Sequence, residues 1–446
     1  MLQKKKRKEV SLTKIFFTVV VLAGVGLGVS YLKEYVNIGS LSLSSPDANL
    51  ESLAEARELY HQGDLAKAQE ALEPLAQSGD DAAGPQAAIL LARLYEDQGE
   101  SAKAVGLLEE AYGDYSASPD YARVAVAYAK ALENAGSLER ATAIFREVRD
   151  SAPPELRAPA LTGLGRQAER KNDLYAARDL YREAADDAKW DSPAWNEALD
   201  ALGEINTGLI FAPMKTPESK VYMVERGDSI TAIGNKLNTT QGLLMRANGL
   251  NEHSILNINQ QLKYTPKNFK IIIERSKCRL FVVDKDGIFK RYKVGLGKPG
   301  HETALGSYKI GNKEKDPIWH KPGEGPIPPG DPRNELGTRW MPLVPDQEGL
   351  PPDLGIHGTI RPETVGYYSS NGCARLLPDD IEELYDLVVR ATPVEIVEAY
   401  PGTEPATPDT KPAVYESEEP EPPAAVEAAA PEADFVPGMP ESPSGT

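Results

Sequence analysis

The chain has 446 residues and a formal net charge of −18. That length suits about three domains rather than one core, and the charge has the wrong sign for displacing counterions from nucleic acid. Two cysteines, Cys278 and Cys373, are too few for a disulfide framework. The five histidines show no i,i+4 pair and no Cys-x-x-Cys accompanies them, so no metal and no cofactor is expected.

The first element is a membrane signal. Lys4, Lys5, Lys6, Arg7 and Lys8 form a basic block, and the run Ile15 to Leu32 carries no charge. Such a run is long enough to span the hydrocarbon as a helix, and the basic flank stays on the cytoplasmic side. Residues 1–14 therefore read as a cytoplasmic basic segment, 15–32 as a single-pass membrane signal anchor, and 33–49 as a linker. The rest of the chain would be exported. A cleaved signal peptide is the competing reading, but no small-x-small cleavage site follows the run.

Residues 50–205 repeat themselves. A turn followed five residues on by Ala occurs at Gly63–Ala68, Gly99–Ala104, Gly136–Ala141 and Asn172–Ala177, with starts 36, 37 and 36 residues apart. Apolar residues at helical spacing flank each turn, and Gly or Asn suits a helix C-terminus that needs positive φ. The region resembles a tetratricopeptide-type array. That resemblance implies a concave surface for a protein partner, and a spacer between membrane and enzyme fits the pattern equally well.

After a linker at 206–220 the pattern changes. A strand at Val221–Val224 leads into Gly227-Asp228-Ser229, a turn able to cap a helix. A second helix ends at Asn248-Gly249, and a closing strand contains Gln260-Gln261-Leu262. Residues 221–266 resemble a LysM domain, a β-α-α-β module, which implies binding of glycan strands. Asn259 stands where that family usually has Gly, and Asn also tolerates the left-handed region.

Residues 268–398 are rich in short apolar runs with strand character, with a hairpin turn at Asp286-Gly287 and one amphipathic helix after Pro378. Gly355-Ile356-His357-Gly358-Thr359 is followed by Ser370-Asn371-Gly372-Cys373-Ala374-Arg375. The His and the Cys are sixteen residues apart, too far for one helix face, but a β-turn-β path brings such residues together. A thiolate nucleophile needs a neighbouring imidazole to take its proton. Glycines beside it let backbone N–H groups reach an oxyanion, and Arg375 offers a planar fork for a carboxylate. A core thiol would not explain this company, whereas Cys278, at the start of an apolar strand, reads as a buried hydrophobe.

The order His-Gly-Thr, Gly, Ser-x-Gly-Cys-x-Arg is similar to the signature of the L,D-transpeptidase (YkuD-like) catalytic domain. Gly295-Leu296-Gly297, Thr303-x-x-Gly306 and Pro329-Gly330-Asp331 support it. Asn371, Ala304 and Glu335 depart from the family pattern. The resemblance implies a mainly-β domain in which Cys373 is the nucleophile and His357 the general base and acid. Gly372 and the Cys373 N–H would form the oxyanion hole, Ser370 would orient the loop, and Arg375, Gly358 and Thr359 would complete substrate binding. It also implies attack on the third stem residue of a peptidoglycan tetrapeptide and 3→3 cross-linking through a thioester. An L,D-carboxypeptidase, an enzyme attaching protein to peptidoglycan, and a non-catalytic wall-binding scaffold are the alternatives. A sortase-like enzyme lacks this His-Gly-Thr spacing. Residues 401–446, with ten carboxylates and one lysine, read as a disordered tail.

Overall fold

The computed structural model describes residues 46–321 and 323–415. The proposed anchor at 15–32 lies outside them, and among the described residues no helix is long and apolar enough to cross a membrane. The chain divides into two compact units, one ending at Leu164 and the other starting at Gly165.

The first unit is helical: α1 (Pro46–His61), α2 (Leu65–Ala76), α3 (Gly84–Asp97), α4 (Ser101–Asp114), α5 (Tyr121–Asn134), α6 (Leu138–Ser151) and the start of α7 (Pro154–Arg170). The turn glycines Gly63, Gly99 and Gly136 have φ of 80°, 78° and 79°, a conformation that costs a side-chain-bearing residue strain. The alanines five positions on, Ala68, Ala104 and Ala141, have no exposed surface, so adjacent helices close over them. Leucines at helical spacing, among them Leu53, Leu72, Leu91 and Leu94, fill the core between α1, α2 and α3.

In the second unit Asn172 makes the fourth such turn at φ 58°. Asp173 caps α8 (Leu174–Asp187), and Ser192 caps α9 (Pro193–Phe211), which has Pro at its first turn. The LysM-like segment folds as expected, with β1 (Lys220–Met223), α10 (Ile230–Leu237), α11 (Gln241–Arg246) and β2 (Gln261–Tyr264). Its two strands pair antiparallel, Ser229 caps α10, and Asn259 takes φ 67°.

The catalytic region is built on one mixed sheet in the order β14-β12-β11-β7-β15-β3-β4-β5. The strands are β3 (Lys270–Glu274), β4 (Arg279–Asp284), β5 (Gly287–Lys293), β7 (Gly306–Ile310), β11 (Arg339–Pro345), β12 (Gly355–His357), β14 (Ala374–Arg375) and β15 (Pro393–Val397), with the short β8 (Glu314–Lys315) paired to β11, while β9 (Trp319–His320) and β10 (Pro326–Ile327) form a pair of their own. Helix α12 (Pro378–Leu387) buries Ile381, Leu384 and Leu387 against this sheet's core. A short parallel pair, β6 (Leu296–Gly297) with β13 (Tyr368–Ser370), stands apart from the main sheet.

Helix α9 joins the three parts of this unit. Asn206 donates to Phe289 O at 2.8 Å, Glu204 meets Lys290 at 2.9 Å, and Asp200 meets Arg291 at 2.6 Å, all on β5. At the C-terminus of α9, buried Lys263 of β2 donates to Leu209 O, Ile210 O and Ala212 O at 2.9, 3.4 and 2.6 Å. A cation there meets the negative end of the helix dipole. Thr240, the cap of α11, donates to Asp386 O of α12.

One expectation is corrected. The tail read as unfolded from residue 401 is ordered as far as Tyr415: Val414 bridges Tyr368 in parallel, and Ala406 is buried. Composition alone misses this, because a proline-rich segment can borrow its order from the edge of an existing strand. Residues 416–446 lie outside the described part.

Candidate active site

Strand register assembles the site. β12 pairs parallel with β14, matching Ile356 to Ala374 and His357 to Arg375. β11 pairs antiparallel with β12, matching Trp340 to His357 and Pro342 to Gly355. Residues opposite each other share a face, and the face repeats every second residue. Trp340, His357 and Arg375 therefore form one row, with Gly355 in the next row on the same side. Cys373 directly precedes β14, within reach of the Gly355 N–H, and lines the same cleft as His357.

The imidazole is buried, with Trp340 tilted beside it at a ring-centre distance of 5.7 Å. His357 Nδ1 lies 2.7 Å from Gly358 O. A carbonyl only accepts, so in the neutral ring Nδ1 carries the proton and Nε2 keeps its lone pair. Burial and the facing Arg375 push the imidazole down to about 4, against the carbonyls of Gly358 and Glu335. Burial likewise raises the Cys373 thiol, while the Gly355 N–H and Arg375 pull the other way. Both shifts favour the neutral forms, a protonated thiol and an uncharged imidazole.

The nucleophile loop is organised from within. Ser370 Oγ donates to Cys373 O at 2.7 Å and accepts from Gly372 N–H at 3.1 Å. Thr303 Oγ1 donates to Gly372 O at 2.7 Å and accepts from Gly297 N–H at 3.0 Å. Ser370 thus ties Gly372 to Cys373 from within the loop. Gly372 does not keep a free N–H for an oxyanion, because Ser370 holds it.

Arg375 is buried and already engaged: its guanidinium meets Glu335 at 3.1 Å, and Glu335 also meets Arg361 at 3.2 Å. One arm of its fork is thus turned to an internal carboxylate, while its buried Nε has no hydrogen-bond partner. Gly358 and Thr359 stand behind the cleft. Thr359 is buried and accepts from Arg361 N–H at 2.9 Å, and Gly358 N–H donates to Arg339 O at 3.3 Å. Sequence reasoning gave no role to Glu335 or Thr303. The first appeared only as a departure and the second only as a motif letter.

His357, Cys373, Ser370 and Arg375 open together on a cleft of about 800 Å³ that Trp319, Trp340, Leu336 and Asp353 help to line. Both cysteines are unpaired, and burial pushes Cys278 up to about 12, which makes it inert. Among the described residues no group of His, Cys, Asp and Glu could hold a metal ion.

Sheet, sulfur and imidazole define a cysteine acyl-transfer site. The family model described as the L,D-transpeptidase catalytic domain (YkuD) matches residues 268–396, and that of the LysM domain matches 222–265. The protein YqjB of Bacillus subtilis (strain 168), named as an L,D-transpeptidase, is 32% identical over 129 residues, 29% of this chain and 70% of that protein. YkuD of Bacillus licheniformis, named likewise, is 26% identical over 182 residues, 40% of this chain and 98% of that protein. The solved structure of the Ldtfm–avibactam carbamoyl enzyme is 21% identical with a TM-score of 0.25, covering 33% of this chain and 55% of that one, so the chain spans about half of it. The chain belongs to the L,D-transpeptidase family, whose chemistry is on peptidoglycan, and it carries a LysM domain directly before the catalytic domain.

Proposed function

We propose that the enzyme forms 3→3 cross-links between stem peptides with Cys373 as nucleophile and His357 as base. The sulfur attacks the carbonyl on the L-centre of the third stem residue while its proton passes to His357 Nε2. The C–N bond to the terminal D-alanine breaks, the imidazolium protonates the leaving amine, and the stem remains as a thioester. An amine from a neighbouring stem then attacks, gives its proton to the imidazole, and releases the thiol. A thioester keeps enough acyl reactivity for this without any external energy source. The backbone N–H of Cys373 is the remaining oxyanion donor from the loop.

The observation that carries this reading is that His357 of β12 and Cys373, one residue before the parallel partner strand β14, line the same cleft. The glycan strand is taken by the LysM domain. The basic block and apolar run at the N-terminus support a single-pass anchor with the catalytic domain in the periplasm or cell-wall space. The spacing of the helical turns supports a tetratricopeptide-like array that docks a protein partner.

Incubation with tetrapeptide muropeptides, read by mass spectrometry, tests the proposal. Dimers are expected, and none from Cys373→Ala. Tripeptides alone would make it a carboxypeptidase, stems coupled to protein an attachment enzyme, and an unchanged mixture with glycan retained a scaffold.

A further inference from the structure

The strand that delivers the nucleophile loop is weak on its own. β13 has three residues, Tyr368 to Ser370, and its register against β6 shifts between Tyr368 and Ser370. A bulge of this kind interrupts the ladder and lets a strand bend. On the β6 side it has Leu296 N–H to Tyr367 O at 3.0 Å and Lys298 N–H to Ser370 O at 2.9 Å.

Its other edge is covered by the segment after the last sheet strand. Tyr368 N–H donates to Ala413 O at 3.1 Å, and Tyr415 N–H donates to Tyr368 O at 3.2 Å. The segment is moored on its way there. Ala406 N–H donates to Ser276 Oγ at 3.2 Å, Lys411 meets Glu398 at 3.7 Å, and the Tyr415 ring lies 6.1 Å from that of Tyr367. Two residues beyond Tyr368 stands Ser370, whose hydroxyl fixes both Gly372 and Cys373.

We propose that residues 411–415 are a positioning clip for the nucleophile: by adding a strand to the free edge of β13 they hold Ser370, and through Ser370 the Cys373 loop, in the geometry for attack. The clip touches neither substrate nor sulfur. It acts through the bulged strand, which is held from two sides instead of one. This rests on Cys373 being the nucleophile, so the test has one readout that depends on catalysis and one that does not.

In the full-length chain, Tyr415→Pro deletes one of the two clip hydrogen bonds while keeping the extended backbone. A chain ending at Pro401 deletes both, and a chain ending at Tyr415 deletes neither. The first readout is the single-turnover rate of thioester formation by intact-mass spectrometry. It should fall about tenfold in Tyr415→Pro and further in the chain ending at Pro401, with donor KM held within about twofold, since the change is in alignment rather than binding. The chain ending at Tyr415 should match the full chain, and a synthetic peptide of residues 404–416 added to the shorter chain should restore the rate. The second readout is hydrogen exchange at the Gly372 amide, expected to quicken about tenfold in Tyr415→Pro because opening that loop then breaks fewer bonds. Unchanged exchange at Gly372, or full acylation by the chain ending at Pro401, overturns the clip. Quickened exchange in a protein whose full chain forms no thioester would uphold the clip and sink the catalytic reading instead.

Discussion

Gly355 presents its N–H to Cys373, and the indole of Trp340 fills the space its missing side chain leaves. A Cβ built at this position falls 2.8 Å from Trp340 Cζ2 and nearer still to two other atoms of the same ring. Carbon atoms rest about 3.5–4.0 Å apart, so in Gly355→Ala the nearest part of the indole must retreat by more than about 1 Å. Overpacking of this kind costs about 1–3 kcal/mol, and at about 3 °C per kcal/mol the melting midpoint should drop by about 3–9 °C. Activity should suffer more, because the displaced ring is the neighbour of His357, and about 1 Å of misplacement costs about 10²-fold in rate. Thermal unfolding and single-turnover thioester formation measure the two effects. In Gly355→Ala/Trp340→Phe the melting midpoint should recover, since the smaller ring makes room. Wild-type melting and acylation in Gly355→Ala would refute the claim that Trp340 is wedged against Gly355 beside His357.

Three more expectations concern the same site. The buried imidazole, held down to about 4, leaves the folded state binding fewer protons than the unfolded state between about pH 6.5 and 4, so stability falls with pH through that window. The His357 contribution is about 3 kcal/mol, so urea unfolding of His357→Gln should show that much less loss from pH 7 to 4, and acylation by the parent should hold its rate down to about pH 5. Thr303→Val leaves Gly372 O and Gly297 N–H buried without partners, at about 1–3 kcal/mol each, and Thr303→Ser should recover the loss in a denaturant titration. Glu335→Gln removes the negative charge shared by Arg375 and Arg361. With Glu335 partly exposed, the stability loss should be about 2 kcal/mol, and the acid limb of the rate profile should move lower because Arg375 then faces the imidazole uncompensated.

The parts legible in the sequence were those fixed by local chemistry. Positive φ at Gly63, Gly99, Gly136 and Asn172 is a property of the residue itself, so the helix turns could be read one by one. The same holds for Ser229 as a cap and Asn259 in its turn. His357 and Cys373 could be paired because glycines flank both. What escaped depends on residues far apart in the chain. Glu335 reaches Arg375 across forty positions, and Gly372 loses its N–H only because Ser370 turns back on the loop. The parallel pairing of β12 with β14 has no local signature either. The ordered stretch after residue 400 was missed because its composition describes an isolated chain, whereas its order comes from Tyr368 and Ser276.

The anchoring of Lys263 bears on how the enzyme reads a wall. A lysine with three carbonyls around its ammonium, at the end of a helix that also grips β5, makes a poor hinge. Thr240 closes the opposite side of the module on α12. The LysM module is thus tied at two points, to the end of α9 and to α12 of the catalytic domain. If a glycan strand is held by a module tied in this way, the stems it carries are offered to the cleft from one side, so the placing of new bridges would follow from the mounting of the module rather than from chance encounter.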